Sequence, residues 1–111
     1  YGGNGGNIIA HVKGEPCNLP FCFVAHLDQI EPCKDVRPVV DGHIIRTDGT
    51  TTLGGDDKGA VASILEIVED IVETQQAPTR SFYIMFTVSE ETSMQGTKHM
   101  DPSACHVRTW S

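Results

Sequence analysis

The sequence predicts an α/β domain on a mixed β-sheet with flanking helices, and three local patterns carry that prediction. Residues 21–25 and 82–88 are short, nearly continuous apolar runs, the signature of strands buried on both faces. Between them, residues 58–74 place apolar side chains at three- and four-residue steps, the period of an amphipathic helix. Asp41-Gly42 separates two β-prone runs, 36–40 and 43–47, as a two-residue hairpin turn does.

The elements follow in chain order. Residues 1–6 are glycine-rich with nothing to pack and read as a flexible lead-in or a turn. Residues 7–12 alternate weakly and predict a strand, and Gly14, Pro16, Asn18 and Pro20 punctuate a loop over 13–20. The apolar run 21–25 is the second strand, followed by a polar connection over 31–35. Pro38 cannot donate to a ladder, so the hairpin belongs toward a sheet edge. Asp48-Gly49 marks a second turn, and Gly54-Gly55-Asp56-Asp57 opens the helix. Val61, Ile64, Leu65, Val68, Ile71 and Val72 form its apolar face, opposite Ser63, Glu66, Glu69, Asp70 and Glu73. Residues 75–79 end it, with Pro78 as the stop. The strand 82–88 comes next, then a short helix over 93–100; residues 101–111 show no usable period.

Composition narrows the function classes. At 111 residues the chain supports one domain, and 39% hydrophobic with 21% charged residues is globular rather than disordered. Fifteen acids against eight Lys and Arg, a net charge of −7, argue against a nucleic-acid partner, because phosphate binding is driven by cations. No run reaches the ~18 apolar residues of a membrane span, and the N-terminus lacks a signal pattern. Position 1 is not Met, so the expectation is a chain processed, tagged or cut from something longer. Cys17, Cys22, Cys33 and Cys105 show no C-x-x-C spacing. They read as thiols in a reducing, cytoplasmic setting, with two disulfides as the alternative for a secreted protein.

Ligands of open α/β sheets bind at the C-terminal ends of the strands, and three segments fall there. In His26-Leu27-Asp28, residues two apart share a side of an extended segment, so Asp28 can stand behind the His26 imidazole as partners of metal-binding histidines do. The plainer reading is a polar cap on a strand. Asp56-Asp57 can supply a metal ligand or simply cap the helix and offset its dipole; Gly54-Gly55 lets the backbone bend closely around something. Glu90-Glu91 can be first-turn helix acids capped by Ser89, or a ligand beside a free base. One imidazole with several carboxylates suits Zn²⁺, Co²⁺ or Mn²⁺, and an Asp between two metals flanked by His and Glu is a layout for two-metal hydrolysis.

The ordered segments Gly6-Asn7-Ile8-Ile9-Ala10, Ala25-His26-Leu27-Asp28, Asp48-Gly49-Thr50, Leu53-Gly54-Gly55-Asp56-Asp57-Lys58-Gly59 and Phe86-Thr87-Val88-Ser89-Glu90-Glu91 carry a family resemblance. Together they resemble the catalytic domain of the M20 metallopeptidases, nearest the peptidase T (tripeptide aminopeptidase) branch, over residues 6–101. Xaa-His dipeptidases and the related M42 and M28 aminopeptidases share parts of the pattern. The resemblance implies that His26 binds one zinc, Asp56 bridges two, and Glu91 binds the second. It implies Glu90 as general base, Asp28 as the residue orienting His26, and a cis peptide between Asp56 and Asp57. It also implies hydrolysis of short peptides by metal-activated water, with two zinc ions, cobalt or manganese being possible substitutes.

Departures from the family pattern shape the rest of the expectation. A further carboxylate and a distant histidine are not present, and His99 and His106 lack the matching context. A leading helix, the lid domain and the second half of the catalytic domain have no counterpart. The expected organisation is a lead-in over 1–6, a partial zinc-peptidase catalytic domain lacking the lid over 7–101, and a tail over 102–111 without family counterpart. Three of five ligands would hold metal weakly and give little turnover. The alternative is a non-catalytic α/β fragment acting as a structural or interaction module. With one long helix for two sheet faces, the bare face or a sheet edge predicts a homodimer or larger assembly.

Overall fold

A computed structural model describes residues 5–16 and 19–104. Cys17, Cys105, His106 and the bulk of the expected lead-in and tail lie outside the described residues. The strands are β1 (Ile8–Val12), β2 (Phe21–His26), β3 (Pro38–Asp41), β4 (Ile44–Thr47) and β5 (Phe82–Thr87). Helix α1 is Gly55–Thr74, α2 is Gln95–Lys98, and a 3₁₀ turn covers Pro102–Ala104.

The main sheet is mixed, in the order β1-β5-β2. Its centre is β5, antiparallel to β1 from Ile8↔Phe86 to Val12↔Phe82 and parallel to β2 from Phe21↔Phe82 to His26↔Thr87. A parallel pair needs a crossover, and α1 supplies it between β2 and β5. Every residue of β5 is buried. Phe82, Ile84 and Phe86 form the core with Ala25 and Ile64, and Val61, Val68 and Ile71 of α1 and Phe21 and Phe23 of β2 pack around them. Phe21, Phe23 and Phe82 sit with ring centroids 5.1–5.4 Å apart, in stacked and edge-on pairs. His11 stacks on Tyr83 at 4.5 Å on the face away from the helix.

The loop after β1 is tied to the turn before β5. The Gly14 amide donates to Ser81 Oγ at 2.9 Å and the Glu15 amide to the Pro78 carbonyl at 3.1 Å. A Cβ at Gly14 would lie 2.4 Å from that carbonyl oxygen, so only glycine permits the approach. The Arg80 guanidinium covers Phe21 at 5.4 Å from the ring centroid and donates to the Leu19 carbonyl.

Four expectations need correction. Strand β2 is buried at Ala25 and His26 but not on both faces: Val24, on the face away from α1, is 54% exposed, and β2 is an edge strand bonded to β5 alone. The hairpin does not join the main sheet; β3 and β4 make a two-stranded sheet of their own, with Val40, Ile44 and Ile45 exposed. Its turn is Gly42-His43 rather than Asp41-Gly42, since Asp41 pairs with Ile44 and the positive φ, +60°, falls on Gly42. On α1 the apolar stripe is wider than the surface it covers: Leu65 and Val72 face outward. The helix ends as expected, with Gln75 left-handed at φ +55° and Pro78 beyond it. No described residue of α1 or α2 forms a helix long and apolar enough to cross a membrane.

Candidate metal centre

The sheet carries its acids and its histidine to one edge. Strand β2 ends at His26, β5 ends at Thr87 three residues before Glu90, and α1 opens on Asp56. The parallel register sets His26 beside Thr87, and the ladder continues from the Leu27 amide to the Thr87 carbonyl at 2.8 Å. The two chain segments therefore leave the sheet side by side.

His26 is the hub. Its Nε2 lies 3.1 Å from Asp56 Oδ1 and its Nδ1 lies 3.0 Å from the Asp28 carbonyl oxygen. The His26 side chain is only 10% exposed, whereas Asp56 reaches into solvent at 81%. One ligand atom from each of His26, Glu90 and Glu91 fits within a 4.8 Å span. The expected ligands are thus brought together, with one difference: Glu90 stands in the close group with Glu91, and Asp56 joins through His26.

The Asp28 carboxylate stands 3.7 Å from His26 Nδ1, within ion-pair reach, while its backbone carbonyl makes the closer contact at 3.0 Å. The carboxylate also accepts the Glu90 amide at 3.1 Å and the Glu91 amide at 3.2 Å, one on each oxygen. Burial raises the Asp28 carboxyl pKa, but these two amide bonds, a bond from its own amide and the charge of His26 together outweigh it and hold the group below its ordinary value. For His26, burial pulls the pKa down; the bond to Asp56, the Asp28 carbonyl and the charges of Glu90 and Asp56 together reverse this and leave it raised.

Neither plain capping reading describes the acids. The residue capping α1 is Gly54, left-handed at φ +79° and without a side-chain cap, while Asp56 and Asp57 have non-helical backbone angles. The Asp56–Asp57 peptide is cis, as the resemblance implied. Asp57 Oδ2 accepts the His26 amide at 3.4 Å, a tie no local pattern disclosed. Glu90 and Glu91 precede α2 in a turn and are not first-turn helix acids. Lys58, the residue after the acid pair, gives its ammonium to the Leu27 carbonyl. Beside Asp56 a cavity of about 220 Å³ opens between Gln29, Ile30, Thr52, Leu53, Gly54 and Gly55.

The donor set fits a divalent ion. Two donors ~2.0–2.1 Å from one tetrahedral ion lie about 3.3 Å apart, near the His26–Asp56 separation of 3.1 Å. Cys22 and Cys33 carry thiols away from this group.

The profile of Peptidase family M28 matches residues 7–105; the matching family is thus M28, where the motifs had pointed to M20. The uncharacterized protein YqjE of Bacillus subtilis is 33% identical over 102 residues, which is 92% of this chain and 27% of YqjE. Peptidase T of Shewanella pealeana is 36% identical over 94 residues, 85% of this chain and 22% of that protein. The crystal structure of aminopeptidase PepT from Bacillus cereus superposes with a TM-score of 0.84 at 28% identity, over 92% of this chain and 27% of PepT. A Staphylococcus aureus tripeptidase gives the same TM-score, 0.84, at 28% identity over 91% of this chain and 27% of that one. The chain spans about a quarter of the length of these relatives.

Proposed function

The chain belongs to Peptidase family M28, and on that premise we propose that it is the metal-binding core of a peptidase of the peptidase T kind, acting on short peptides. The observation that carries the reading is the convergence of His26, Glu90 and Glu91 within 4.8 Å, with Asp56 against the same imidazole. His26, Asp56 and Glu91 are the proposed ligands of one or two zinc ions, with cobalt or manganese as substitutes. The likeness to peptidase T and PepT supports the peptidase T kind; the M20-like pattern and the choice of zinc rest on the motifs and the donor types.

His26, Asp56 and Glu91 would hold a divalent ion at this edge, which would supply Lewis-acid polarisation of a carbonyl and a more acidic water. The chain's own residues do the rest. The Asp28 carbonyl accepts the Nδ1 proton of His26, so Nε2, which faces Asp56, is the nitrogen that would bind a metal ion once its own proton is released. Glu90 takes the proton of the attacking water and passes it to the leaving amine. The cavity beside Asp56 gives room for a side chain of the peptide.

Calorimetric titration of the chain with Zn²⁺ and Co²⁺, beside His26→Ala and a tripeptide hydrolysis assay, tests the reading. Uptake by the wild type and at least tenfold weaker uptake by His26→Ala support it; equal uptake by both refutes His26 as a ligand. The open apolar side chains Val40, Ile44 and Ile45 favour a second reading, a non-catalytic α/β module that works by association. A chain that takes up neither metal would leave that one standing.

A further inference from the structure

We propose that Asn7 is a positioning residue for the acid pair Glu90-Glu91, acting by clasping both ends of the loop that carries them; the proposal rests on the reading of that pair as ligand and base. Asn7 precedes β1, at the far side of β5 from His26, and touches none of the acids. Its Nδ2 donates to the Gly96 carbonyl at 2.8 Å, and its Oδ1 accepts the Val88 amide at 3.1 Å. Those partners fix the amide's orientation, since a carbonyl needs the N–H₂ end and an amide needs the oxygen.

Val88 and Gly96 form the neck of one closed loop. The Gly96 amide donates to the Val88 carbonyl at 3.1 Å, the Gln95 amide to Ser89 at 3.0 Å, and the Met94 amide to Glu90 at 2.9 Å. The loop adopts a shape its residues resist: Ser89, Ser93 and Met94 are all left-handed, at φ +59°, +72° and +56°. Side chains with a Cβ disfavour that region, so ties from outside must hold the loop. Two such ties are present. Asp28 grips the acids' own amides, and Asn7 grips the neck. The neck is as tight as backbone allows, because a Cβ at Gly96 would lie 2.2 Å from the Val88 oxygen and 2.6 Å from Asn7 Oδ1.

The clasp needs a donor and an acceptor on one short planar tip, which only Asn supplies at this reach. Asn7→Asp keeps the acceptor for Val88 but sets an oxygen against the Gly96 carbonyl. Asn7→Ala loses both bonds. Val12→Ala, on the strand that Asn7 leads into and packed against the core, controls for general loss of stability.

The test uses the full chain, with amide hydrogen exchange by NMR and titration with Zn²⁺. For Asn7→Ala, exchange at the Glu90 and Glu91 amides should quicken at least tenfold while β5 amides stay within twofold. Zn²⁺ binding should weaken at least tenfold, with Asn7→Asp intermediate. Val12→Ala should leave both readouts within threefold of wild type. Unchanged exchange at Glu90 and Glu91 in Asn7→Ala would overturn the proposal, as would equal effects from Val12→Ala at matched stability. If the wild type takes up no Zn²⁺, the metal reading fails, and the exchange comparison alone decides whether Asn7 holds the loop. Should Asn7→Ala fail to fold, Asn7→Asp carries the same comparison.

Discussion

Replacing Asp28 by Asn tests whether a single carboxylate organises this edge of the sheet. Each of its oxygens accepts one backbone amide, Glu90 at 3.1 Å and Glu91 at 3.2 Å. Asn keeps one oxygen and turns an N–H₂ toward the other amide, so one bond is lost and the remaining one loses its charge. A hydrogen bond to a charged group contributes about 1.5–3 kcal/mol. The side chain is 28% exposed, so water recovers part of the loss, and a cost of about 2 kcal/mol is expected at pH 7. At ~2.1 cal/mol/K per residue the unfolding entropy of a chain of 111 residues is about 0.23 kcal/mol/K. The melting temperature should therefore fall by about 9 °C. The carboxyl pKa is depressed in the folded state, so its stabilisation is complete above the ordinary value of 3.8 and fades as pH falls through the folded value below it. Melting followed by circular dichroism at pH 7, and then at steps from pH 5 down to about 2.5, measures both effects. The gap between wild type and Asp28→Asn should close at the acid end. Equal melting temperatures at pH 7, or a gap that persists unchanged in acid, would refute the assignment.

Other outcomes follow from the same geometry. Gly96→Ala should cost about 2 kcal/mol or more by chemical denaturation, because its Cβ meets backbone at 2.2 Å; Gly55→Ala, with nothing within 4 Å, should stay within about 0.5 kcal/mol. Metal uptake requires His26 to give up a proton, and its pKa is raised from 6.5. Zn²⁺ affinity measured between pH 5 and 8 should then fall about tenfold per unit below that raised pKa, and a flat profile would remove His26 from the ligand set. The proposed self-association should appear in light scattering at micromolar concentration, driven by the open Val24, Val40, Ile44, Ile45, Leu65 and Val72; a monomer binding no apolar dye would refute it.

What the sequence disclosed and what it withheld divide along range. The period of α1, its stop at Pro78 and the apolar run of β5 are local, and each appears where expected. Whether an apolar strand has neighbours on one side or two is not local, so β2 read as central although it is an edge. The same limit hid the exposure of Leu65 and Val72, since a helical stripe does not say how wide a surface it meets. The hairpin turn slipped by one residue because glycine, and not Asp-Gly as a unit, takes the positive φ. His26, Asp28, Asp56, Glu90 and Glu91 stood out by residue type and by their place at strand ends. Asn7 stood in a quoted motif without a role, because its partners lie 81 and 89 residues away.

The central place of β5 has a consequence for how the chain is made. Among the described residues, strands β1 and β2 do not bond to each other; both bond to β5 alone, whose first residue is Phe82. The stretch from β1 to the turn before β5 therefore has no partner in the main sheet until β5 arrives, and within it the α1 helix and the β3–β4 hairpin form from neighbouring residues. Sheet formation waits for a late segment and then closes long loops at once, which favours slow folding. Because Glu90 and Glu91 leave the ribosome within a few residues of β5, the step that completes the sheet also delivers the last acids to the histidine.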